Sequence, residues 1–533
     1  MTEPRADLPT HLVENQPAAR VPRLWDDDLP LRGAFAGQSA AAAVRGFAET
    51  LSDPAMLAAG RDAYRHPPEL RLFDAGGRRL DEVAFHPAYH RLMQAGRAAG
   101  YCAIAWDGTP GGHTAHAAMV YLLSQVEPGT CCPLTMTYAA VPALAADPAL
   151  AAVWGPRLAS RAYDPAIAPV GHKTGATLGM AMTEKQGGSD VRANTTRADR
   201  DGDAYRLTGH KWFCSAPMSD GFLTLARAPG GLTCFLVPRW LDDGRNGIHL
   251  MRLKDKLGNR ANASAEIEYH GALAHRLGDE GQGVRTIIRM VHHTRLDTAM
   301  APAGLMRAAL AEALHWARHR TAFQRKLIDQ PLMRAVLADL ALDAEAALAL
   351  GLRVARAFDD PGQAPFARIG VALAKYLSNK RAPNVIYEAM EVLGGMGYVE
   401  DTPLPMLYRE APLNSIWEGS GNVICLDILR TLARDPDAAA ALRADLDSAR
   451  GEPAYDAALN AHLARWAAPP GEAQARLYAE QTAALLAAAA LLHGAPEIGA
   501  AYAASRLTGG RGHTAGACPN LDPAPILARI APG

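Results

Sequence analysis

Aromatic residues are scarce in this 533-residue sequence, at 6%, and there are only seven cysteines. Cys102, Cys131, Cys132, Cys214, Cys234, Cys425 and Cys518 are odd in number and form no Cys-x-x-Cys pair. That pattern indicates neither a disulfide framework nor a zinc site, and it fits thiols kept reduced in a cytoplasm. Long hydrophobic runs are also missing. The longest, residues 483–492, is about half of the roughly 20 residues a membrane span needs. Residues 1–18 hold no apolar core of a secretory leader. Neither sign of charge is in excess, and the formal net charge is −1. No global field draws the chain to nucleic acid or to an anionic membrane. These absences predict a cytoplasmic protein with no metal centre and no membrane partner.

What is present is alanine-rich and 49% apolar. Alanine is the best helix former, so the composition leans helical. The length implies three or four domains. Residues 1–45 are Pro-rich with few periodic apolar positions and predict an extended surface arm. Residues 46–175 show helical patterns broken at Pro67-Pro68 and Gly76-Gly77. The texture then changes: over 176–285, short alternating runs such as Tyr205-Arg206-Leu207-Thr208 and Glu266-Ile267-Glu268-Tyr269 predict a compact β-domain. Helical periodicity returns over 286–433, with long helices expected over 284–323, 331–358 and 366–393, enough for a bundle. Residues 434–533 predict a further helical domain. The expected class is therefore α+β and multidomain.

Five segments carry candidate chemistry. Met182-Thr183-Glu184-Lys185-Gln186-Gly187-Gly188-Ser189-Asp190 places hydroxyls beside two glycines, which let a backbone approach a ligand closely; alone, it is equally a turn. Gly209-His210-Lys211-Trp212-Phe213-Cys214-Ser215 could wall a flat ring by stacking, or be an ordinary strand. Ile416-Trp417-Glu418-Gly419-Ser420-Gly421-Asn422 sets a carboxylate among glycines ahead of an apolar helical run. In an apolar pocket Glu418 would hold its proton more tightly and suit proton abstraction near neutral pH; otherwise Ser420 or Asn422 caps a helix whose dipole Glu418 complements. Arg320-Thr321-Ala322-Phe323 offers a guanidinium suited to a diphosphate, or a solvated charge at a helix end. Glu391 to Tyr398, with Gly394 and Gly395, is a further glycine-rich stretch or a helix stop.

Taken in order, these segments resemble the acyl-CoA dehydrogenase superfamily from about residue 80 to 433. Thr183-Glu184 with Gly188-Ser189-Asp190 is similar to its T-E-x-x-x-G-S-D signature, and Arg409-Glu410 with Ile416 to Ser420 to its second. The closer resemblance is to the AidB-type (adaptive response to DNA alkylation) branch, carried by Met182 to Asp190, Leu253 to Arg260, Asn414 to Asn422, Asn15-Gln16-Pro17 and the helical segment after 434. The resemblance implies an N-terminal α-helical domain, a β-barrel, a four-helix bundle and an extra C-terminal helical domain. It implies FAD between barrel and bundle in a homotetramer. Met182, Thr183, Gly188 and Ser189 would contact the flavin, with Phe213, Cys214 and Ser215 on its other side. Ile416, Trp417, Gly419, Ser420 and Asn422 would meet the cofactor from the bundle, and Arg320, Gly394 and Gly395 would bind the diphosphate and adenosine of a neighbouring subunit's FAD. Four positions depart from the wider family: Lys185 stands for Pro, Phe213 for a stacking Trp, Gln324 for Gly and Glu391 for Gln. Some members carry the base on a bundle helix just before an Arg. Here that position is Thr294, which leaves Glu418.

The function so implied is α,β-dehydrogenation of a short or branched acyl-CoA, isovaleryl-CoA-like, with Glu418 as base and electron-transfer flavoprotein as acceptor. The alternative is a flavoprotein of the alkylation response that binds double-stranded DNA through its C-terminal domain. That domain, from Arg434 on, holds eight Arg, no Lys and ten acidic residues, a poor composition for displacing phosphate counterions; a stripe including Arg430, Arg506 and Arg511 is the arrangement that could still serve.

Overall fold

The computed structural model describes residues 8–519 and 521–530. The alanine-rich periodic stretches fold as helices and the alternating stretch as a sheet. The N-terminal arm is shorter than expected. Asp28 accepts from the Leu31 N–H and caps the helix Leu29–Ala34, with Pro30 in its first turn, and a second helix, Ala41–Leu51, follows. Six residues are too few to show a period, which is why the first helix does not register in the sequence. A β-hairpin, Glu69–Phe73 with Arg79–Ala84, also interrupts the expected helical region. Gly76-Gly77 is a turn as expected, here joining the two strands: Asp74 Oδ1 accepts from the N–H groups of Gly76 (2.8 Å) and Arg78 (2.9 Å), and Gly77 takes φ 79°.

The central strands close on themselves. Ser264–Leu277 pairs with Ala204–Ser215 on one side and Gly231–Pro238 on the other. Gly231–Pro238 continues to Gly221–Ala228 and, through Arg197–Asp201, back to Ala204–Ser215. The barrel is filled by alternate inward residues, among them Leu207, Cys214, Phe222, Phe235 and Ile267. Leu178–Ala181 lies at its edge, parallel to Gly221–Ala228, and leads straight into the glycine loop.

The bundle is built of Gly283–His319, Pro331–Asp359, Ala364–Val392 and Gly421–Arg434. Proline opens Pro331–Asp359, where its missing N–H costs nothing, and Gly394 at φ 59° breaks away just after Ala364–Val392. Among the described residues five further α-helices follow, from Pro436–Asp447 to Pro523–Ile530. They are tied to the helix Pro331–Asp359 by ion pairs: Arg506 with Asp339 (2.6 Å) and Asp343 (3.0 Å), Arg529 with Glu345 (2.6 Å), and Asp445 with Arg353 (2.6 Å). Among the described residues no helix is long and apolar enough to cross a membrane.

Candidate cofactor and substrate site

On the barrel side, strand alternation decides which side chains are offered. Along Ala204–Ser215, Phe213 is 47% exposed, Cys214 is in the barrel core, and Ser215 is half-buried. The Cys214 thiol thus points inward, and a ligand on the outer face can use only its main chain. The glycine loop lies against this strand end, because the Trp212 N–H donates to the Thr183 carbonyl at 2.8 Å. Asn194 Nδ2 donates to the Met182 carbonyl at 2.8 Å. Glu184 points inward and accepts from Lys211 Nζ at 2.7 Å and from the Thr195 N–H at 2.6 Å. Burial works against its charge, but Lys211 and the hydroxyl and main-chain donors hold its pKa below the usual range. The fold of the loop also depends on Gly188, where a Cβ would come within 3.1 Å of Thr183 Oγ1. Thr183 and Ser189 remain accessible.

On the bundle side, Glu418 and Gly419 are both left-handed, at φ 57° and 103°. Such a conformation is uncommon for glutamate and persists where the surroundings enforce it. They do so here. Lys375 Nζ donates to the carbonyls of Asn414 and Gly419, each at 2.9 Å, and Arg295 Nε donates to the Glu418 carbonyl at 3.1 Å. Asp427 steadies Arg295 at 2.8 Å and is shared with Arg368. The Trp417 indole donates to Asn414 Oδ1 at 2.8 Å. Glu418 as a whole is half-buried. Burial raises its pKa; the Thr294 hydroxyl, Arg295 and Lys375 oppose the rise, and Asp297 adds to it. Lys375 is brought down to about 7, mainly by burial, with Glu418 resisting. The Cys132 thiol, on the helix Cys131–Leu144, is pushed up to about 12, chiefly by burial; Lys256 and the Ser215 hydroxyl pull it down while Glu418 pushes it up.

A latch fixes how barrel and bundle meet. The Glu410 carboxylate accepts from the Asn259 N–H and, at 3.0 Å, from Asn259 Nδ2. Asn259 is left-handed at φ 54°. A Cβ at Gly258 would lie 2.5 Å from the Arg409 carbonyl oxygen, so the two backbones touch where only glycine fits. Arg409 is held by Glu400 at 2.7 Å and by the Tyr64 hydroxyl. Lys256, in the same loop, donates to the Asn262 carbonyl at 2.6 Å and to Ser264 Oγ at 3.1 Å; burial brings it down to about 8 against the pull of Cys132, Glu410 and Glu127.

The structure thus brings Met182, Thr183, Gly188, Ser189, Phe213 and Ser215 together on one wall, and gathers Ile416 to Asn422 on a bundle loop. Arg320 and the Gly394-Gly395 pair lie apart from both. Arg320 follows the helix Gly283–His319 and bonds to Asn15 and Gln16, and Gly394 and Gly395 form a helix stop with open space where a Cβ would be. Ser420 stands at the start of Gly421–Arg434 without a side-chain cap, and Asn422 Oδ1 instead accepts from Arg476 Nε at 2.7 Å. The capping alternative for these two residues is not what the structure adopts. Exposed Phe213 and Ile416 (63% exposed), accessible hydroxyls at Thr183, Ser189 and Ser215, and a helix start without a side-chain cap beside Lys380 and Arg476 fit a planar ring system carrying phosphate. Lys375, Lys256 and the Asn259–Glu410 latch went unassigned in the sequence. The one visible signal was a lone lysine inside the apolar helical run Val371 to Leu377.

Three family profiles match the chain: the adaptive response protein AidB N-terminal domain over residues 15–165, the acyl-CoA dehydrogenase middle domain over 179–272, and the acyl-CoA dehydrogenase C-terminal domain over 281–433. AidB of Escherichia coli (strain K12) is 52% identical over 384 residues, which span 70% of this chain and 71% of that protein. Acyl-CoA dehydrogenase family member 11 of Caenorhabditis elegans is 35% identical over 398 residues, 70% of this chain and 64% of that protein. Among solved structures, Caenorhabditis elegans ACDH-11 in complex with C11-CoA superposes with a TM-score of 0.83 at 30% identity, covering 92% of each chain. The Bd2924 apo-form superposes at 0.81 with 31% identity, covering 89% of this chain and 98% of that one.

Proposed function

Because the chain belongs to the acyl-CoA dehydrogenase superfamily, in its AidB-type branch, and members of that family are FAD flavoproteins, we propose that it is an FAD-dependent α,β-dehydrogenase of a short or branched acyl-CoA, isovaleryl-CoA-like, with Glu418 as the base. FAD, when bound, supplies the acceptor for the β-hydride. On this proposal Met182, Thr183, Gly188, Ser189, Phe213, Ser215 and the Cys214 main chain hold the flavin from the barrel, and Ile416, Trp417, Gly419, Ser420 and Asn422 hold it from the bundle. Arg320, Gly394 and Gly395 take the diphosphate and adenosine of a neighbouring copy's FAD in a homotetramer. Beyond the N-terminal arm the chain divides at residues 175, 285 and 433. The setting is the cytoplasm, and electron-transfer flavoprotein takes the electrons onward.

One observation carries the reading: a glutamate in an enforced left-handed turn, its carbonyl held by Arg295 Nε and that of the following Gly419 by Lys375 Nζ. Glu418 accepts the substrate's α-proton. Its enclosure holds that proton more tightly than water would, while the Thr294 hydroxyl and the two cations keep enough of it ionised to act. A positioned base of this kind contributes about 10² to 10⁴ in rate. The test is anaerobic bleaching of the flavin absorbance with a panel of acyl-CoAs. Glu418→Gln is expected to keep FAD and lose bleaching by at least about two orders of magnitude in rate. Bleaching at the parent's rate in that variant rejects the assignment.

The alternative, a duplex-DNA-binding flavoprotein of the alkylation response, finds less support. Arg506 and Arg511, two of the three arginines a DNA stripe would use, are engaged with Asp339 and Asp343, and Arg506 is buried there.

A further inference from the structure

The arm ahead of the first helix runs along the last turns of Gly283–His319. The Ala18 carbonyl accepts from His315 Nε2 at 2.7 Å, and Arg20 pairs with Glu312 at 2.7 Å. Beyond these, Asn15 is bonded from both ends of its side chain. Its Nδ2 donates to the Thr321 carbonyl at 2.8 Å, and its Oδ1 accepts from the Thr321 N–H at 2.7 Å. The amide thus pairs with the main chain as a neighbouring strand would. Its own carbonyl accepts from Arg320 Nη1, with Gln16 Oε1 at 3.3 Å from the same nitrogen. Asparagine suits this place for two reasons: aspartate has no donor for Thr321, and at φ 55° the backbone is in the left-handed region that asparagine tolerates.

The segment it holds is short, and it is also tied back by the Leu327 N–H to the Arg320 carbonyl at 2.9 Å and by Gln330 Nε2 to the Ala322 carbonyl at 3.1 Å. Thr321–Ala322 and Arg325–Lys326 pair across Phe323 and Gln324, both left-handed, and Phe323 is 91% exposed. A two-stranded ribbon of this size is marginal by itself. Among the described residues Arg320 gives only Nη1 to protein acceptors. The Nε and Nη2 edge is left for two oxygens of one phosphate.

We propose that Asn15 is a positioning residue for cofactor binding, holding Arg320 with that edge turned outward. This rests on the reading of Arg320 as a ligand of the FAD diphosphate. An unheld arginine loses its rotamer freedom on meeting a phosphate, whereas one already held does not.

The experiment follows FAD retention in the purified holoprotein, by the rise of free-flavin fluorescence on dilution, in Asn15→Ala, Asn15→Asp, Arg320→Ala and the double variant Asn15→Ala with Arg320→Ala. Asn15→Ala is expected to weaken FAD binding about tenfold with the unfolding temperature of the flavin-free protein unchanged. Asn15→Asp keeps the side-chain acceptor for the Thr321 N–H but loses the donor to the Thr321 carbonyl, and falls between parent and alanine variant. The double variant is expected to bind no more weakly than Arg320→Ala alone, since Asn15 acts through that arginine. Parent-like retention in Asn15→Ala while Arg320→Ala is weakened overturns the role of Asn15, and so does additivity in the double variant. Parent-like retention in Arg320→Ala instead overturns the reading of Arg320, and the proposal with it.

Discussion

At the scale of single residues the site is a balance between burial and nearby charge. Glu418 is raised by burial and restrained by Thr294, Arg295 and Lys375. Only its ionised form accepts a proton, so kcat/KM is expected to rise with pH along an acid limb above the ordinary carboxylate range. Removing a cation that favours the ionised form moves the limb further: in Lys375→Met the pH profile of acyl-CoA oxidation should shift to higher pH. An unmoved limb would mean that Lys375 only braces the loop. Glu127 gives a second pH effect, on stability. It is fully buried, accepts from the N–H groups of Gly129 (2.8 Å) and Thr130 (2.7 Å), and is raised to about 7 mainly by burial. The folded chain binds this proton more tightly than the unfolded one. Stability is therefore lost as pH rises from the unfolded carboxylate range towards 7, by about 3 kcal/mol for a shift of this size. Urea midpoints between pH 5 and 8 should fall more steeply in the parent than in Glu127→Gln. The carboxylate at 418 was singled out through the family resemblance, since its local surroundings of glycines and an apolar helical run read equally as a helix start. Lys375 was not, since its meaning depends on a packing that brings two distant stretches together.

At the scale of elements, the long helices were legible and the short pieces were not. The readings 331–358 and 366–393 differ little from Pro331–Asp359 and Ala364–Val392, because many turns of periodicity and a terminal proline or glycine mark them. The first long helix stops at His319, ahead of residue 323, since the chain turns into the small hairpin that carries Phe323. The hairpin Glu69–Phe73 with Arg79–Ala84 has a half-exposed first strand and so little apolar alternation to read. The latch at Gly258 was quoted only as part of a family motif; its reason, a backbone contact across two elements, lies outside any local window. Gly258→Ala must part the loop from Arg409 and Glu410. The expected cost is about 1–3 kcal/mol, as for other forced insertions into packed sites, read as a lower denaturation midpoint together with weaker FAD retention. Unchanged values for both would show that the loop can yield.

At the scale of the whole molecule, the C-terminal helices are fastened by ion pairs rather than left as a free basic surface. Asp339 is fully buried and meets Arg506, Arg511 and the Gly516 N–H. Taking one partner from a buried pair costs about 3–5 kcal/mol. Arg506→Ala is therefore expected to speed proteolysis of the segment after residue 434 and to leave duplex-DNA mobility shifts at moderate salt as they are in the parent. A weakened shift with unchanged proteolysis would restore the nucleic-acid reading. The latch has a consequence at this scale as well. Glu410 ends the helix Leu404–Glu410 and clasps the barrel, and the proposed base Glu418 stands shortly after it, ahead of Gly421–Arg434. A change in the seating of the barrel would thereby be carried to that residue along a few peptide bonds. Spacing and chemistry are geared together, so neither can drift during divergence without a matching change in the other.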